Sequence, residues 1–209
     1  MTTLLLSVAA GAFTWTLLEY VLHRVVFHEL SSAALGAKEH RQHHARPDYF
    51  APAWQKALAA LVASAVILPA VSLAAGIGVA GSFTGGFIVM YVAYEVLHRR
   101  CHTHPPSGPY GRWRRRNHFA HHFADPRRGH GVTTPLWDHV FATRLPVERV
   151  RVPRRLAMRW LLDERGEVRP PFEADYELVG KATSDARTQR ADREAALANR
   201  CPEPGVPAY

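Results

Sequence analysis

The chain has 209 residues, with 26 Lys or Arg against 18 Asp or Glu and a formal net charge of +8. This length suits one domain with a tail and excludes two full-sized domains. The positive charge would suggest a nucleic-acid partner, but residues 1–23 and 57–98 contain no Lys or Arg. Long uncharged blocks beside basic blocks are typical of a membrane protein, so we expect no nucleic-acid partner. The composition leaves the oligomeric state open.

The first long apolar run predicts a membrane-spanning helix. Thr3–Leu22 contains a single ionisable residue, Glu19, and about 20 consecutive apolar residues span a bilayer as a helix. A signal peptide or a buried soluble helix is the alternative. A signal peptide is disfavoured because no basic segment precedes the run and no small-residue cleavage site precedes His23.

Two further apolar runs follow, and they set the predicted orientation. Trp54–Ala80 contains Pro69, which would kink a spanning helix rather than end it. Phe83–Leu97 is short for a span and is expected to extend at both ends, after a turn at Gly76–Ser82. Every Lys and Arg lies between the first two runs, at the start of the second (Lys56) or after the third. The positive-inside rule therefore places these basic regions in the cytoplasm, and the N-terminus and the turn outside.

The segment after the third run is basic and aromatic. Pro105–Pro109 predicts a rigid break, and Tyr110–Phe123 predicts a helix lying along the membrane surface. Its basic stretch would bind lipid headgroups or anchor the protein to the membrane. The candidates for this role are Arg112, Trp113, Arg114, Arg115 and Arg116. Thr133–Phe141 predicts another short helix that begins near Pro135.

The rest of the chain predicts little regular structure. We interpret 1–145 as a membrane domain and 146–209 as a polar cytoplasmic tail, solvated from residue 165 onward and partly disordered. The predicted fold class is all-α, with three to four membrane spans and a cytoplasmic helical cap rich in histidine. Cys101 and Cys201 do not form a disulfide framework, so both are expected to be free thiols in the reducing cytoplasm.

Histidine is the residue type that points to function. Ten of the 13 histidines fall into four clusters, all in the regions predicted to be cytoplasmic. The clusters are His23 with His28; His40, His43 and His44; His98 with His102; and His118, His121 and His122. On an α-helix, each His-x-x-His-His triplet covers an arc of roughly 100° on one face. The pair His98 and His102 also shares a face.

One pair does not fit a regular helix. His23 and His28 are five residues apart, which separates them by roughly 140° around an α-helix. The helix therefore breaks near Arg24–Phe27, or the two rings approach a common centre from different sides.

The four clusters form a twofold internal repeat. LLEYVLHR at 17–24 is similar to AYEVLHRR at 93–100, and each copy is followed by a His-x-x-His-His triplet. This order predicts a pseudo-symmetric centre with one half from each copy. In each copy a glutamate, Glu19 or Glu95, stands about one helical turn before the first histidine. These carboxylates are candidates to accept the N–H of a liganding ring.

Clustered imidazoles at this spacing predict a metal centre. Neutral imidazole suits Fe, Zn, Cu and Ni, and ten ligands are too many for one ion but reasonable for two. Asp125 and Asp138 are near the clusters in sequence but not at ligand spacing. Cys101 is a weak candidate for metal contact. The remaining histidines are expected at the surface or behind the ligands: His104, His130 and His139.

These motifs resemble the histidine boxes of the membrane fatty acid hydroxylase and sterol desaturase superfamily. HRVVFH, HRQHH, HRRCH and NHFAHH match HX4H, HX2HH, HX3H and HX2HH in order, and RGHGVTTPLWDHVFAT at 128–143 is similar to the family's segment after the last box. The resemblance covers about residues 15–145 and is strongest to the fatty acid 2-hydroxylase branch.

The resemblance implies a membrane-bound, non-haem di-iron enzyme that hydroxylates a fatty acyl or sphingolipid-like chain with O₂. It carries the metal-ligand role onto all ten clustered histidines and implies two iron ions, with zinc possible in the isolated protein. Larger family members carry a cytochrome b5-like domain; the chain shows none, so the electron donor is expected to be a separate protein. If the source is bacterial, the enzyme is expected in the inner membrane.

Two other functions stay open. The same metal chemistry would suit a carotenoid or sterol, or a desaturation outcome. A non-enzymatic metal-binding or metal-transport protein is the alternative from another class, but transport needs ionisable residues midway along the spans. The apolar runs carry only Glu19, Lys56 and Glu95, each near the end of its run.

Overall fold

A computed structural model describes residues 1–30 and 36–180. Six α-helices and two short strands lie in these residues. The helices are α1 (Thr2–Val21), α2 (Ala37–Ala45), α3 (Ala53–Ala75), α4 (Ile77–Thr103), α5 (Gly108–Phe123) and α6 (Leu136–Val140). The chain folds into two compact units. The membrane unit comprises Met1–Glu19 and Ala51–His98, and the histidine cap comprises the described residues of 20–50 and 99–180.

The membrane unit contains helices long and apolar enough to cross a bilayer. There are three within the described residues, built on α1, α3 and α4, as the apolar runs predict. No side chain of α3 is buried, and Leu61 and Val66 lie with most of their surface exposed. A helix that is apolar all round and unburied in the protein is suited to lipid contact.

The connection between α3 and α4 is shorter than predicted. Gly76 alone forms the turn, with a left-handed φ of 83°, and its N–H bonds the carbonyl of Ser72. Glycine adopts this conformation without the steric cost that other residues meet. The predicted turn over Gly76–Ser82 is therefore wrong, because α4 begins at Ile77. Helix α3 continues through Pro69.

Helices α1 and α4 approach each other closely through two glycines. A Cβ atom at Gly11 would lie 2.0 Å from the carbonyl oxygen of Phe83, and one at Gly86 would lie 2.0 Å from that of Val8. Small residues allow such backbone approach between membrane helices. Trp15 packs beside this contact, edge-on to Phe87 with ring centroids 5.3 Å apart.

Gly86→Leu is expected to separate α1 from α4 and to destabilise the protein by at least about 2 kcal/mol, since the backbone of Val8 cannot yield as a flexible side chain can. The measurement is the melting temperature in detergent. Gly85→Leu is the matched control, because a Cβ atom at Gly85 meets open space. Equal melting temperatures for the two variants would contradict the close packing.

The histidine cap extends further along the chain than the sequence predicts. Strand β1 (Val150–Pro153) pairs in parallel with β2 (Tyr176–Val179), with Val150 opposite Tyr176. Three short 3₁₀ turns lie at Arg154–Leu156, Arg159–Leu161 and Pro170–Phe172. Trp160, Phe172 and Tyr176 are buried in one hydrophobic core with Phe119 of α5. The expectation of a solvated chain from residue 165 onward is therefore wrong for 165–180, and the rest of that prediction, 181–209, lies outside the described residues.

Helix α5 is not a membrane-surface helix in this fold. Its residue Phe119 is buried in the cap against Trp160 and Tyr176, with ring centroids 6.2 Å from each. The histidine triplet of α5 lies beside it, with the ring of Phe119 5.6 Å from that of His118 and 6.3 Å from that of His122. The helix therefore connects the hydrophobic core of the cap to the histidine clusters.

Candidate metal centre

The pair His23 and His28 lies on a widened helix. Residues Leu22–Glu29 form a π-helix at the end of α1, in which each N–H bonds the carbonyl five residues earlier, as from Leu30 to Val25 at 2.7 Å. This pattern stacks residues five apart on one face. The two rings consequently lie 5.3 Å apart, centroid to centroid. The helix therefore does not break, and the two rings lie on the same side of it. Its backbone hydrogen bonds instead span five residues rather than four.

The first group of imidazoles contains five rings. Its members are His23, His28, His40, His44 and His121, and their candidate ligand atoms all lie within 4.8 Å of one another. The Nε2 atom of His28 is 3.1 Å from that of His121 and 2.9 Å from that of His40. The Nε2 atom of His40 is in turn 3.0 Å from that of His44. Four ring nitrogens thus converge on one point.

The second group in the cap has the same character. His43, His102, His118 and His122 place their candidate ligand atoms within 4.8 Å of one another. The Nε2 atoms of His102 and His118 are 2.7 Å apart, and the ring centroids of His43 and His102 are 4.5 Å apart. Both nitrogens of His122 are buried, and neither has a hydrogen-bond partner among the described residues.

The two triplets exchange one histidine each. His40 and His44 of the first triplet belong to the first group, but His43 between them belongs to the second. His118 and His122 of the second triplet belong to the second group, but His121 belongs to the first. The centre is pseudo-symmetric, as the repeat predicts, although each copy supplies the middle histidine of its triplet to the other copy's group.

His98 lies at the end of the membrane unit. It is buried, stands one turn of α4 before His102, and stacks on Tyr94 with ring centroids 5.7 Å apart. Three residues earlier, Glu95 forms an ion pair with Lys56 in the first turn of α3. The carboxylate that the sequence suggests as a partner for His98 therefore neutralises a lysine of the same unit.

Backbone carbonyl oxygens fix three of the rings. The Nδ1 atoms of His23, His43 and His121 lie 2.6, 2.8 and 2.8 Å from the carbonyl oxygens of His130, Tyr49 and Arg128. A carbonyl oxygen can only accept, so each Nδ1 carries the proton and each Nε2 presents a lone pair. For His23 Nδ1, this carbonyl takes the role that the sequence suggests for Glu19, while a role for the buried Glu19 carboxylate beside the liganding rings stays a prediction.

Burial keeps these imidazoles neutral. It lowers the pKa of His40, His44, His121 and His122 well below the ordinary value of 6.5, and the neighbouring imidazoles lower it further. A charged ring would have to lose its hydration in the cap and face other rings. Neutral imidazole is the form that binds a metal ion.

The arrangement fits metal ions better than hydrogen bonds. A neutral imidazole has one N–H donor and one acceptor, so the Nε2 of His28 cannot satisfy two other Nε2 atoms by hydrogen bonding. Nitrogens bound at about 2.1 Å to one ion and at right angles would lie about 3 Å apart. The separations of 2.9 to 3.1 Å in the first group match this value.

His130 is a histidine whose position the sequence analysis left open. His104 and His139 are exposed, as expected, but His130 is 1% exposed. Its ring centroid lies 5.4 Å from that of His23 and 5.3 Å from that of His121, and its Nδ1 lies 4.0 Å from the carboxylate of Asp138, beyond hydrogen-bond distance. An eleventh imidazole therefore lies against the first group. The sequence signal that could have identified His130 was its place between two glycines, Gly129 and Gly131, shortly before Asp138.

Asp138 fastens the loop that carries His130. Its carboxylate accepts the backbone N–H of His130 at 3.0 Å, the N–H of Gly131 at 2.8 Å and the hydroxyl of Thr143 at 2.7 Å. Burial raises the pKa of Asp138, against the opposing effect of these three hydrogen bonds. A Cβ atom at Gly131 would lie 2.2 Å from the carbonyl oxygen of Thr134. The loop thus positions the carbonyl oxygen of His130, which accepts the hydrogen bond from the Nδ1–H of His23.

Asp138→Ala is expected to destabilise the cap by at least about 2 kcal/mol, because the buried N–H groups of His130 and Gly131 would lose their acceptor and each such loss costs about 1–3 kcal/mol. The measurements are the melting temperature and the metal content of the purified protein. Asp125→Ala is the control, since its carboxylate pairs with the exposed Arg127 and such pairs contribute about 0–1 kcal/mol. Equal losses in the two variants would contradict the role of Asp138.

The basic stretch of α5 serves the cap itself. Arg115 is buried and donates to the carbonyl oxygens of Arg100, His104 and Gly111. Arg114 is also buried, over the ring of Tyr110. The prediction that these two arginines contact lipid headgroups is therefore wrong, because neither side chain reaches the surface.

The outer residues of this stretch are partly exposed. Arg112 and Arg116 both pair with Asp175, at 3.1 and 3.4 Å. Trp113 stacks on Tyr110 with ring centroids 5.8 Å apart. Arg112, Trp113 and Arg116 therefore make contacts within the cap. Membrane anchoring by these three residues stays a prediction.

The structure describes one of the two cysteines, Cys101. Cys101 is a free, buried thiol in the hydrophobic core, and its carbonyl oxygen accepts the indole N–H of Trp160 at 3.0 Å. It belongs to neither histidine group. The residue is therefore a core residue rather than a metal ligand, and Cys201 lies outside the described residues.

Comparison with known proteins shows the family of this chain. The model of the fatty acid hydroxylase family matches residues 8–143. A dihydroceramide fatty acyl 2-hydroxylase of Arabidopsis thaliana is 33% identical over 151 residues, which are 66% of this chain and 60% of that enzyme. The fatty acid 2-hydroxylase of Homo sapiens is 33% identical over 144 residues, which are 65% of this chain and 38% of that enzyme.

A solved structure, full-length scs7p with only its hydroxylase domain visible, has a TM-score of 0.58 and 29% identity. The match covers 69% of this chain and 57% of that one. The chain thus spans less than two thirds of each of these relatives. With its three apolar helices it is an integral membrane protein. Because the family model covers more than half of the chain and includes all four histidine clusters, the chain belongs to the fatty acid hydroxylase family.

Proposed function

We propose that the protein is a membrane-bound oxygenase that hydroxylates a C–H bond in the acyl chain of a lipid. The observation that carries the proposal is the pair of histidine groups, each with ring nitrogens converging on one point. The relatives named above act on dihydroceramide fatty acyl chains or on fatty acids. A lipid with a long acyl chain is the corresponding substrate for this chain.

The ligands of this proposal are the ten clustered histidines, with two iron ions as the functional metals. His98 joins the second group because it stands one turn of α4 before His102, on the same face. A pair of iron ions supplies the activation of O₂ that attack on an unactivated C–H bond requires. The protein contributes neutral nitrogen donors, fixed by backbone carbonyl oxygens, in a buried pocket that limits access of water.

The reaction needs a source of electrons. One atom of O₂ enters the C–H bond as a hydroxyl group, and the other leaves as water with two protons and two electrons. Tyr, Trp and Cys residues around the centre are no net source of these electrons, so a separate donor protein supplies them. By the positive-inside rule, the histidine cap and its donor lie in the cytoplasm, and the N-terminus lies outside.

To the ten ligands we add His130 as a neighbour that supports the first metal ion. His130→Phe keeps the ring volume and removes both nitrogens. It is expected to weaken metal binding by about 10-fold to 100-fold, the usual effect of losing a group behind the ligands. The measurement is competition with a chelator, followed by the visible absorption of the cobalt-substituted protein. Unchanged affinity and an unchanged cobalt spectrum would show that His130 is only a packing residue.

The function itself is tested by lipid profiles of cells with the protein, without it, and with His121→Gln. A mass gain of one oxygen atom in one lipid class is expected with the native chain and should be lost in His121→Gln. His139→Gln is the matched control, because His139 is exposed and outside both groups. A loss of two hydrogens instead would identify a desaturase, and an unchanged lipid profile would contradict the enzyme assignment.

A further inference from the structure

A surface cleft lies beside the second histidine group. It has a volume of about 570 Å³ and is formed within the histidine cap by the loop after α2, the last turn of α4 and the chain around residues 155–159. His102 lies on its wall together with apolar side chains, including Phe50 and Met158. The cleft thus leads from the surface to one of the candidate metal ligands.

Four arginines line this cleft against one carboxylate. They are Arg46, Arg99, Arg155 and Arg159, and the carboxylate is Asp48. The cleft therefore carries a net positive charge. A concave site lined by several guanidinium groups is suited to phosphate or carboxylate oxygens, which accept two parallel hydrogen bonds from one guanidinium.

Several other arginines of the cap form ion pairs within it. Arg112 and Arg116 pair with Asp175, and Arg154 pairs with Glu167. By contrast, Arg46, Arg99 and Arg159 form no ion pair within residues 1–30 and 36–180. Arg99 lies over the ring of Phe50 at 4.8 Å, and Arg46 lies over that of Tyr49 at 5.0 Å. These ring contacts hold the guanidinium groups of Arg46 and Arg99, and no carboxylate of the described residues pairs with either group.

The cleft lies where apolar helices give way to charged chain. Phe50 stands three residues before α3 begins, and Arg99 stands four residues before α4 ends. The ends of membrane helices are the level at which lipid headgroups and basic side chains meet. A ligand with an anionic head and an apolar chain matches both the arginines and the apolar part of the lining.

We propose that this cleft binds the anionic headgroup of the lipid substrate, and that the substrate is a phosphate- or carboxylate-bearing lipid rather than an uncharged ceramide. This inference rests on the function proposed above. A headgroup is favoured over an electron-donor protein because the cleft is concave and small, whereas a docked protein buries about 800 Å² of a flatter surface. Binding here would place a lipid within reach of His102.

Binding is tested without turnover. The metal-loaded protein in detergent is titrated with short-chain phosphatidic acid, short-chain ceramide or inorganic phosphate, and the rise in melting temperature gives the affinity. Arg99→Gln combined with Arg159→Gln is expected to weaken binding of phosphatidic acid at least about tenfold. Arg149→Gln with Arg151→Gln is the matched control, because it removes the same charge at exposed arginines that pair with Glu177.

Several outcomes would overturn the proposal. These are equal affinity of the cleft variant and the control for phosphatidic acid, equal affinity of the native chain for ceramide, or equal affinity for inorganic phosphate, which would mark a free-anion site. A cleft variant that keeps lipid affinity but is reduced more slowly by its donor would assign the cleft to that donor. Hydroxylation confined to uncharged lipids would overturn the cleft alone, whereas lipid binding without any oxidised product would overturn the proposed function alone.

Discussion

Replacing His43 and His118 together with Gln is expected to leave about one metal ion per chain, whereas replacing His43 and His121 together is expected to leave almost none. His43 and His118 belong to the same group, so their loss disables one site and leaves the five rings of the other intact. His43 and His121 belong to different groups, so their loss weakens both sites. The measurement is metal content per chain after dialysis against a weak chelator.

The comparison isolates the exchange of histidines between the triplets. In both double variants the first triplet loses one histidine and the second triplet loses one. If each triplet served a single ion, both variants would lose both ions and have the same metal content. His104→Gln with His139→Gln is the control for nonspecific loss, since both residues are exposed. Equal metal content in the two test variants would contradict the grouping, and melting temperatures would confirm that both variants fold.

The spacing of the triplets predicted a shared face but not this division. On α2 the arc from His43 to His44 spans roughly 100°, which is wide enough for one helix to present rings to two points. Which ring faces which point depends on the neighbouring helix, α5, and on where its own triplet lies. Sequence spacing describes one helix at a time, so it predicted the number of ligands and the repeat but not the assignment of His43 and His121.

The π-helix shows a second limit. Five-residue spacing of His23 and His28 conflicted with an α-helix, and the conflict was visible in the sequence. Its resolution required a change in the backbone hydrogen bonds from four residues to five, which apolar periodicity does not encode. Such a widened turn is uncommon and is frequently found at functional sites. A spacing that misfits a regular helix, between residues that otherwise belong together, is itself a signal of this geometry.

The amount of folded structure in residues 146–180 was underestimated for a different reason. Its buried residues Trp160, Phe172 and Tyr176 are spaced at 12 and 4 positions and show neither helical nor strand periodicity. They are buried because α5 offers Phe119 as a surface to pack against. Burial that depends on a partner from a distant part of the chain is not visible in local composition. The long apolar runs were predicted well because their requirement, lipid contact over a span, is local.

Acidification below about pH 6.5 is expected to destabilise the metal-free histidine cap steeply. Burial lowers the pKa of His40, His44, His121 and His122 in the folded chain, whereas the unfolded chain keeps the ordinary value of 6.5. As the pH falls below that value, the unfolded state binds protons that the folded state does not. The stabilisation is therefore complete above 6.5 and is lost as the pH falls, by about 1.4 kcal/mol per pH unit for each ring.

Four such rings together give up to roughly 5 kcal/mol per pH unit, which exceeds the effect of most single substitutions. Metal-loaded protein should resist acid to a lower pH, because a ligated nitrogen cannot take a proton until the ion leaves. The measurement is the melting temperature of both forms from about pH 8 to about pH 5. His44→Gln should flatten the slope of the metal-free form, and His139→Gln should not. A metal-free form whose melting temperature stays level across this range would show that the rings are hydrated, and would remove the physical basis for a buried, neutral ligand set.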